Sequence, residues 1–287
     1  MFTDNPVTPV RLEILIDTLR EHPRGLSREE VQRMLQPGPL ASELKAGSPS
    51  TVTLKAAKEL GLLDDTKDSE DITISHACRK NKNTRAAILG AFDEKVLSGK
   101  DVEPYFALYY AYYLGLGTLI YEKSNYNKDQ WADEFNHVVF GVTPQPNRFN
   151  DPKLTGWERW IAYIGLGWFD PAGNFQANPY ERLARALPRV FGPSRKLGAD
   201  DFMKNLAGVC PELDGGALFI EANPRWNPSE KRCSLGLSHA LIELHLDAVI
   251  RLDCPADSSG WNLGEAEPPR DEYLVGARMA TVELLKI

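Results

Sequence analysis

Apolar positions in the N-terminal stretch fall on helical spacing. Leu12, Leu15, Ile16 and Leu19 recur at i, i+3, i+4 and i+7, the stripe of an amphipathic helix. His22-Pro23-Arg24-Gly25 stops it with two breakers. Ser27 then stands as the N-cap of a second helix, and Glu30, three residues on, completes a capping box. Leu26 and Val31 are spaced as a hydrophobic staple, and Val31, Met34 and Leu35 supply the apolar face. Pro37-Gly38-Pro39 ends that helix, and a loop with a helical turn around Leu44 follows. Ser48 and Pro49 have the character of N-cap and N1 of a third helix, which runs to Leu60 and stops at Gly61. Leu62-Leu63 begins an extended segment, residues 64–71 form a polar turn, and Ile72-Thr73-Ile74 alternates as a returning strand.

Three short helices closed by a β-hairpin is the winged-helix arrangement. Ser50-Thr51-Val52-Thr53-Leu54, then Glu59-Leu60-Gly61-Leu62-Leu63, resembles the recognition helix and the start of the wing of winged-helix DNA-binding proteins. The resemblance covers residues 8–76 and implies a fold more firmly than a task.

A related pattern recurs downstream. Residues 84–97 and 104–121 are expected as helices, and Trp131, Phe135 and Val138 mark another at i, i+4, i+7. Residues 157–164 form a helix that ends in Gly165-Leu166-Gly167-Trp168-Phe169, a Pro171-Ala172-Gly173-Asn174 turn and Phe175. In the last third, Leu183, Leu187 and Val190 mark one helix and Phe202, Leu206 and Val209 the next. Residues 238–246 form a third, 248–252 are extended, and residues 273–285 return as a strand. The expected architecture is therefore a mostly helical α+β chain of tandem winged-helix units with inserted helices. Its divisions are a winged helix at 1–80, a helical region ending in a second such unit at 81–178, and a third at 179–287. The corresponding helix ends at Leu60, Ile164 and Leu246 are unevenly spaced, so this is no solenoid.

Composition is that of a globular, soluble chain, with 43% hydrophobic and 25% charged residues. Nothing at residues 1–10 has the make-up of a secretory signal, and residues 104–121 are too short and too glycine-broken for a bilayer span, so a cytoplasmic protein without membrane contact is expected. Tyr105, Phe106, Tyr109, Tyr110, Tyr112 and Tyr113 surround their helix on all sides, which predicts burial in a core or an interface. The four cysteines lie far apart, as expected of free thiols in a reducing compartment. Cys233, His239 and His245 match no common zinc spacing, so neither a metal nor another cofactor is expected.

No phosphate-binding loop, dinucleotide fingerprint or nucleophile elbow is present. Asp214 with Glu221-Ala222-Asn223 bears a distant likeness to a magnesium nuclease core, but asparagine stands where the supporting lysine belongs. The expectation is a protein with no catalytic residues.

The net charge of −7 excludes nonspecific coating of nucleic acid, so any DNA contact is local. A helix in the major groove needs short polar or basic side chains near its N-terminus. Ser48, Ser50, Thr51, Thr53, Lys55 and Lys58 meet that need, with Lys45 close by. Arg159 in the second unit, and Lys231 and Arg232 in the third, either extend a basic groove or are scattered surface charge, the commoner arrangement. The wing opposes it, since Asp64, Asp65, Asp68, Glu70 and Asp71 stand there against Lys67 alone.

A narrower resemblance runs through Trp160 to Trp168, Leu237-Ser238-His239-Ala240-Leu241 and Ser258-Ser259-Gly260-Trp261. The chain is similar there to the DpdG proteins, encoded in bacterial clusters that place 7-deazaguanine bases in DNA and restrict phage. The resemblance implies a role in phage defence beside helicase and nuclease partners, and transfers no catalytic residue. With the winged-helix reading of the residues, the expected protein is a non-enzymatic, double-stranded-DNA-binding subunit of a larger bacterial assembly. Three rivals stand beside it: a protein–protein adaptor without DNA contact, a dimeric transcription regulator, and a divergent metal nuclease.

Overall fold

The computed structural model describes residues 2–3, 7–36, 48–64, 71–99, 102–123, 125–141, 148–264 and 278–286. It is a mostly helical α+β chain with small sheets. In chain order come α1 (Pro9–Glu21), β1 (Leu26–Ser27), α2 (Arg28–Leu35), α3 (Pro49–Glu59), β2 (Asp71–Ile72), α4 (His76–Lys80) and α5 (Thr84–Lys95). Then follow α6 (Pro104–Gly115), α7 (Leu119–Glu122), α8 (Lys128–Phe140), α9 (Asp151–Ile161), β3 (Gly167–Phe169) and β4 (Phe175–Ala177). The last part holds α10 (Tyr180–Phe191), β5 (Lys196–Gly198), α11 (Ala199–Val209), α12 (Ala217–Ala222), α13 (Leu235–Leu246), β6 (Ile250–Asp253), β7 (Trp261–Asn262), β8 (Arg278–Met279) and β9 (Thr281–Leu284). The chain forms two compact units, Met1–Phe106 with Asn150–Tyr163, and Ala107–Phe149 with Ile164–Ile287.

In the first unit the predicted caps close the helices. Ser27 and Glu30 form the reciprocal capping box of α2, and Ser48 caps α3 with Pro49 in its first turn. Gly61, at φ +68°, takes the left-handed turn that ends α3. Leu63 then bridges Ile74, and β2 pairs antiparallel with β1, a strand of two residues that sequence reading missed. Phe2, Phe92, Phe106, Trp157 and Trp160 fill the core. Phe92 stacks on Trp160 at 5.3 Å, and the indole N–H groups of Trp157 and Trp160 donate to Phe106 O and Val7 O. Burying each such ring stabilises the fold by about 1.5–3 kcal/mol, with about 0.5–1.5 more for a well-placed ring pair.

The second unit contains most of the tyrosine run. Tyr109, Tyr110, Tyr112 and Tyr113 are buried, with Tyr109 stacked on Phe149 at 4.7 Å and Tyr113 Oη donating to Phe175 O at 2.8 Å. The single helix expected over residues 104–121 is instead two, because Gly115-Leu116-Gly117 turns the chain and Gly117 adopts φ +54°. Further on, β5, β9 and β6 form a three-stranded antiparallel sheet in that order, with α10, α11 and α13 packed together beside it.

The connectivity is the same in both parts. A helix, a short strand and a second helix precede the third helix, whose following strand returns through a last strand lying against the first. The second occurrence adds α12 before its third helix and β7 and β8 before its last strand. All four cysteines are free and buried, and no helix among the described residues is long and apolar enough to cross a membrane.

Candidate nucleic-acid interface

Helix α3 is built as a short capped rod with one inward face. Ser48 Oγ accepts from the Thr51 amide, and Ser48 is itself largely buried. Ser50 and Thr53 are fully buried, and Thr53 Oγ1 donates to Pro49 O at 2.6 Å. These two residues, expected on the groove-facing side, face the core instead. Ser50, Thr53, Leu54 and Ala57 lie at i, i+3, i+4 and i+7, and together form the buried stripe.

What α3 offers outward is Thr51 and Val52, half-exposed, and the exposed Lys55 and Lys58. The two lysines are three residues apart and share a helix face. Lys55 Nζ lies 3.8 Å from Glu59, a loose i,i+4 pair that leaves its side chain 69% exposed. Lys45 lies outside the described residues, as do Asp65, Lys67, Asp68 and Glu70 of the acidic turn. Of the acids that are described there, Asp64 is paired with Arg79 at 3.4 Å, and Asp71 is exposed.

The structure adds a basic stretch that sequence reading passed over. Arg79, Lys80, Lys82 and Arg85 are all exposed and no acid lies between them in the sequence, although Arg79 is paired with Asp64. The stretch begins beside the end of α3, where the Ser75 amide donates to Leu62 O at 2.8 Å. Arg20 holds it against α1: its guanidinium donates to Cys78 O, Asn81 O and Thr84 Oγ1 at 3.0, 2.6 and 2.9 Å. Arg85 lies over the Tyr163 ring at 5.4 Å. A charge count over residues 1–85, which is balanced, hides this local excess.

Arg159, also in the first unit, is exposed in the last turn of α9. In the second unit, Lys231 is committed to Asp200 at 2.8 Å. Hydrogen bonds from Lys231 and then from the Trp261 indole hold the Asp200 carboxyl below its ordinary range. Arg232 is exposed just ahead of α13. The helix that follows, α13, is buried on most of its faces, and shows outward only His239, Glu243 and Leu246. It carries no lysine or arginine to meet a phosphate.

The nuclease-like residues do not form a pair. Asp214 is fully buried, with oxygens accepting from the Ser234 amide and hydroxyl, whereas Glu221 is exposed on α12 and Asn223 donates to Ala111 O. His245 Nδ1 accepts from the Leu252 amide and ties α13 to β6, while His239 faces outward. Among the described residues no group of three or more His, Cys, Asp or Glu side chains is placed to hold a metal ion.

A family model described as DpdG-like matches residues 2–258, and the chain belongs to that family. No curated protein and no solved structure matches it.

Proposed function

We propose that this member of the DpdG-like family is a non-enzymatic subunit of a larger bacterial assembly that contacts double-stranded DNA through α3. Family membership is consistent with a role in a DNA-modification or defence cluster. Beyond that, the reading takes the two helix–strand repeats as winged helices and assigns DNA contact to the first.

The observation that carries it is the contrast between the two third helices. Lys55 and Lys58 stand exposed on one face of α3, and the same unit carries the exposed Arg79–Arg85 stretch, while the counterpart α13 is mostly buried and offers Glu243. Phosphate contact by lysine and arginine supplies most of the affinity for duplex DNA, so the contact belongs to the part that presents them. Thr51, half-exposed in the first turn, is the short polar side chain that this reading assigns to a base edge. Helicase or nuclease partners would supply the chemistry. Fluorescence anisotropy of a labelled duplex, with native chain and a Lys55→Glu/Lys58→Glu variant, tests this reading.

An adaptor that docks protein has one observation in its favour. Val10 and Ile14, one turn apart on α1, are 61% and 46% exposed. Such an adaptor leaves duplex DNA unbound at low salt and loses partner capture on Val10→Lys/Ile14→Lys.

A further inference from the structure

The second compact unit contains a cleft of about 350 Å³, within the size range of small-molecule sites, and it plays no part in the reading above. One wall is the indole of Trp226. The ring meets Phe219 edge-on at 5.5 Å, and a side chain at Gly215 would crowd it at 3.3 Å. The turn that carries Trp226 is fastened at several points. Its amide donates to Asn223 O at 2.9 Å, and Asn223 Nδ2 donates in turn to Ala111 O at 2.9 Å and Phe219 O at 3.0 Å. Residue 115 must be glycine for this, since a Cβ there would meet the Asn223 amide group.

Arg225 and Arg232 also line the cleft, together with Thr118, Asn227 and the first residues of α13. The backbone at Arg232 is fixed by the Asn262 amide donating to Lys231 O at 2.7 Å and the Cys233 amide donating to Asn262 O at 2.9 Å. Glu230 is the acid on the lining, and Asp214 lies behind Ser234. Phe219, Arg225 and Trp226 continue into a neighbouring hollow of about 700 Å³.

A rigidly mounted indole beside two guanidinium groups matches the two halves of a nucleotide. Aromatic faces stack any base, guanidinium forks grip phosphate, and short polar side chains such as Thr118 and Asn227 can pair with ring heteroatoms. We propose that this cleft binds a nucleoside phosphate, free or as an unpaired nucleotide of a DNA strand, with the base on Trp226 and the phosphate on Arg225 and Arg232.

The test uses the full chain and a short fluorescein-labelled oligo(dT), with dTMP and inorganic phosphate as competitors. Trp226→Ala is expected to weaken binding roughly tenfold, the span of one lost base stack, with Trp226→Phe restoring most of it. Arg225→Glu/Arg232→Glu, at two exposed positions, is expected to weaken it at least as much, with circular dichroism confirming that the variant is folded. In a Lys55→Glu/Lys58→Glu background, which removes any phosphate contact made by α3, the loss on Trp226→Ala is expected to persist, which separates this site from α3. Displacement by dTMP supports a free nucleotide as ligand; loss in the variants without displacement by dTMP supports a nucleotide within a strand. The proposal is overturned if oligo(dT) and dTMP both fail to bind, or if the Trp226 and arginine variants bind like the native chain. Competition by phosphate as strong as by dTMP, with Trp226→Ala unaffected, also overturns it.

Discussion

The carboxylate of Asp214, cut off from solvent, accepts from the Ser234 amide at 2.5 Å and from the Ser234 hydroxyl at 2.8 Å, and so holds the residue that caps α13. Burial raises its pKa to about 6 from an ordinary 3.8, against the lowering effect of the Ser234 hydrogen bonds. The folded state therefore holds this proton more tightly than the unfolded one. Its contribution to stability is fully present below the ordinary value and is lost as pH rises through about 6. A gap of about two pH units corresponds to about 3 kcal/mol. Urea unfolding across this window should show a fall in stability with rising pH that Asp214→Asn flattens. The same fall in the variant would remove Asp214 as its source.

Arg182 and Glu212 form a buried ion pair, with Nε to Oε1 at 2.8 Å and both side chains almost fully excluded from water. Removing one partner strands a charge. Arg182→Ala or Glu212→Ala alone is expected to cost about 3–5 kcal/mol, whereas Arg182→Met/Glu212→Leu costs much less. Chemical denaturation of the three variants checks this, and equal losses in single and double variants would contradict it.

Gly156 lies inside α9, where alanine would ordinarily be preferred. A Cβ there would meet the Thr3 carbonyl at 2.0 Å, so α9 can pack against the chain at Phe2 and Thr3 only through a glycine. Gly156→Ala is expected to lower stability by about 1–3 kcal/mol despite its better helix propensity. A rise in melting temperature would show that the N-terminal segment is not held there.

What was legible in the sequence depended on how strong each local signal was. The ends of α3 were, because Ser48, Pro49 and Gly61 each have a conformational reason to stand where they do. Its phase was not, because Ser50 and Thr53 look outward-facing by residue type. Thr53 tolerates burial by satisfying its hydroxyl on Pro49 O. Strands β1 and β5 span two and three residues, too few for alternation to register. The Arg79–Arg85 stretch was hidden by averaging charge over a longer window. The cleft at Trp226 is assembled from α6, α12 and the start of α13, which no local pattern connects.

The central claim, contact with duplex DNA through α3, is tested most directly by anisotropy of a labelled duplex over a salt series. The account predicts binding that weakens with salt, and a Lys55→Glu/Lys58→Glu variant that binds more weakly with a log–log salt slope shallower by about 2. A folded native chain that leaves the duplex unbound at low salt, or a double variant with unchanged affinity and slope, would contradict it.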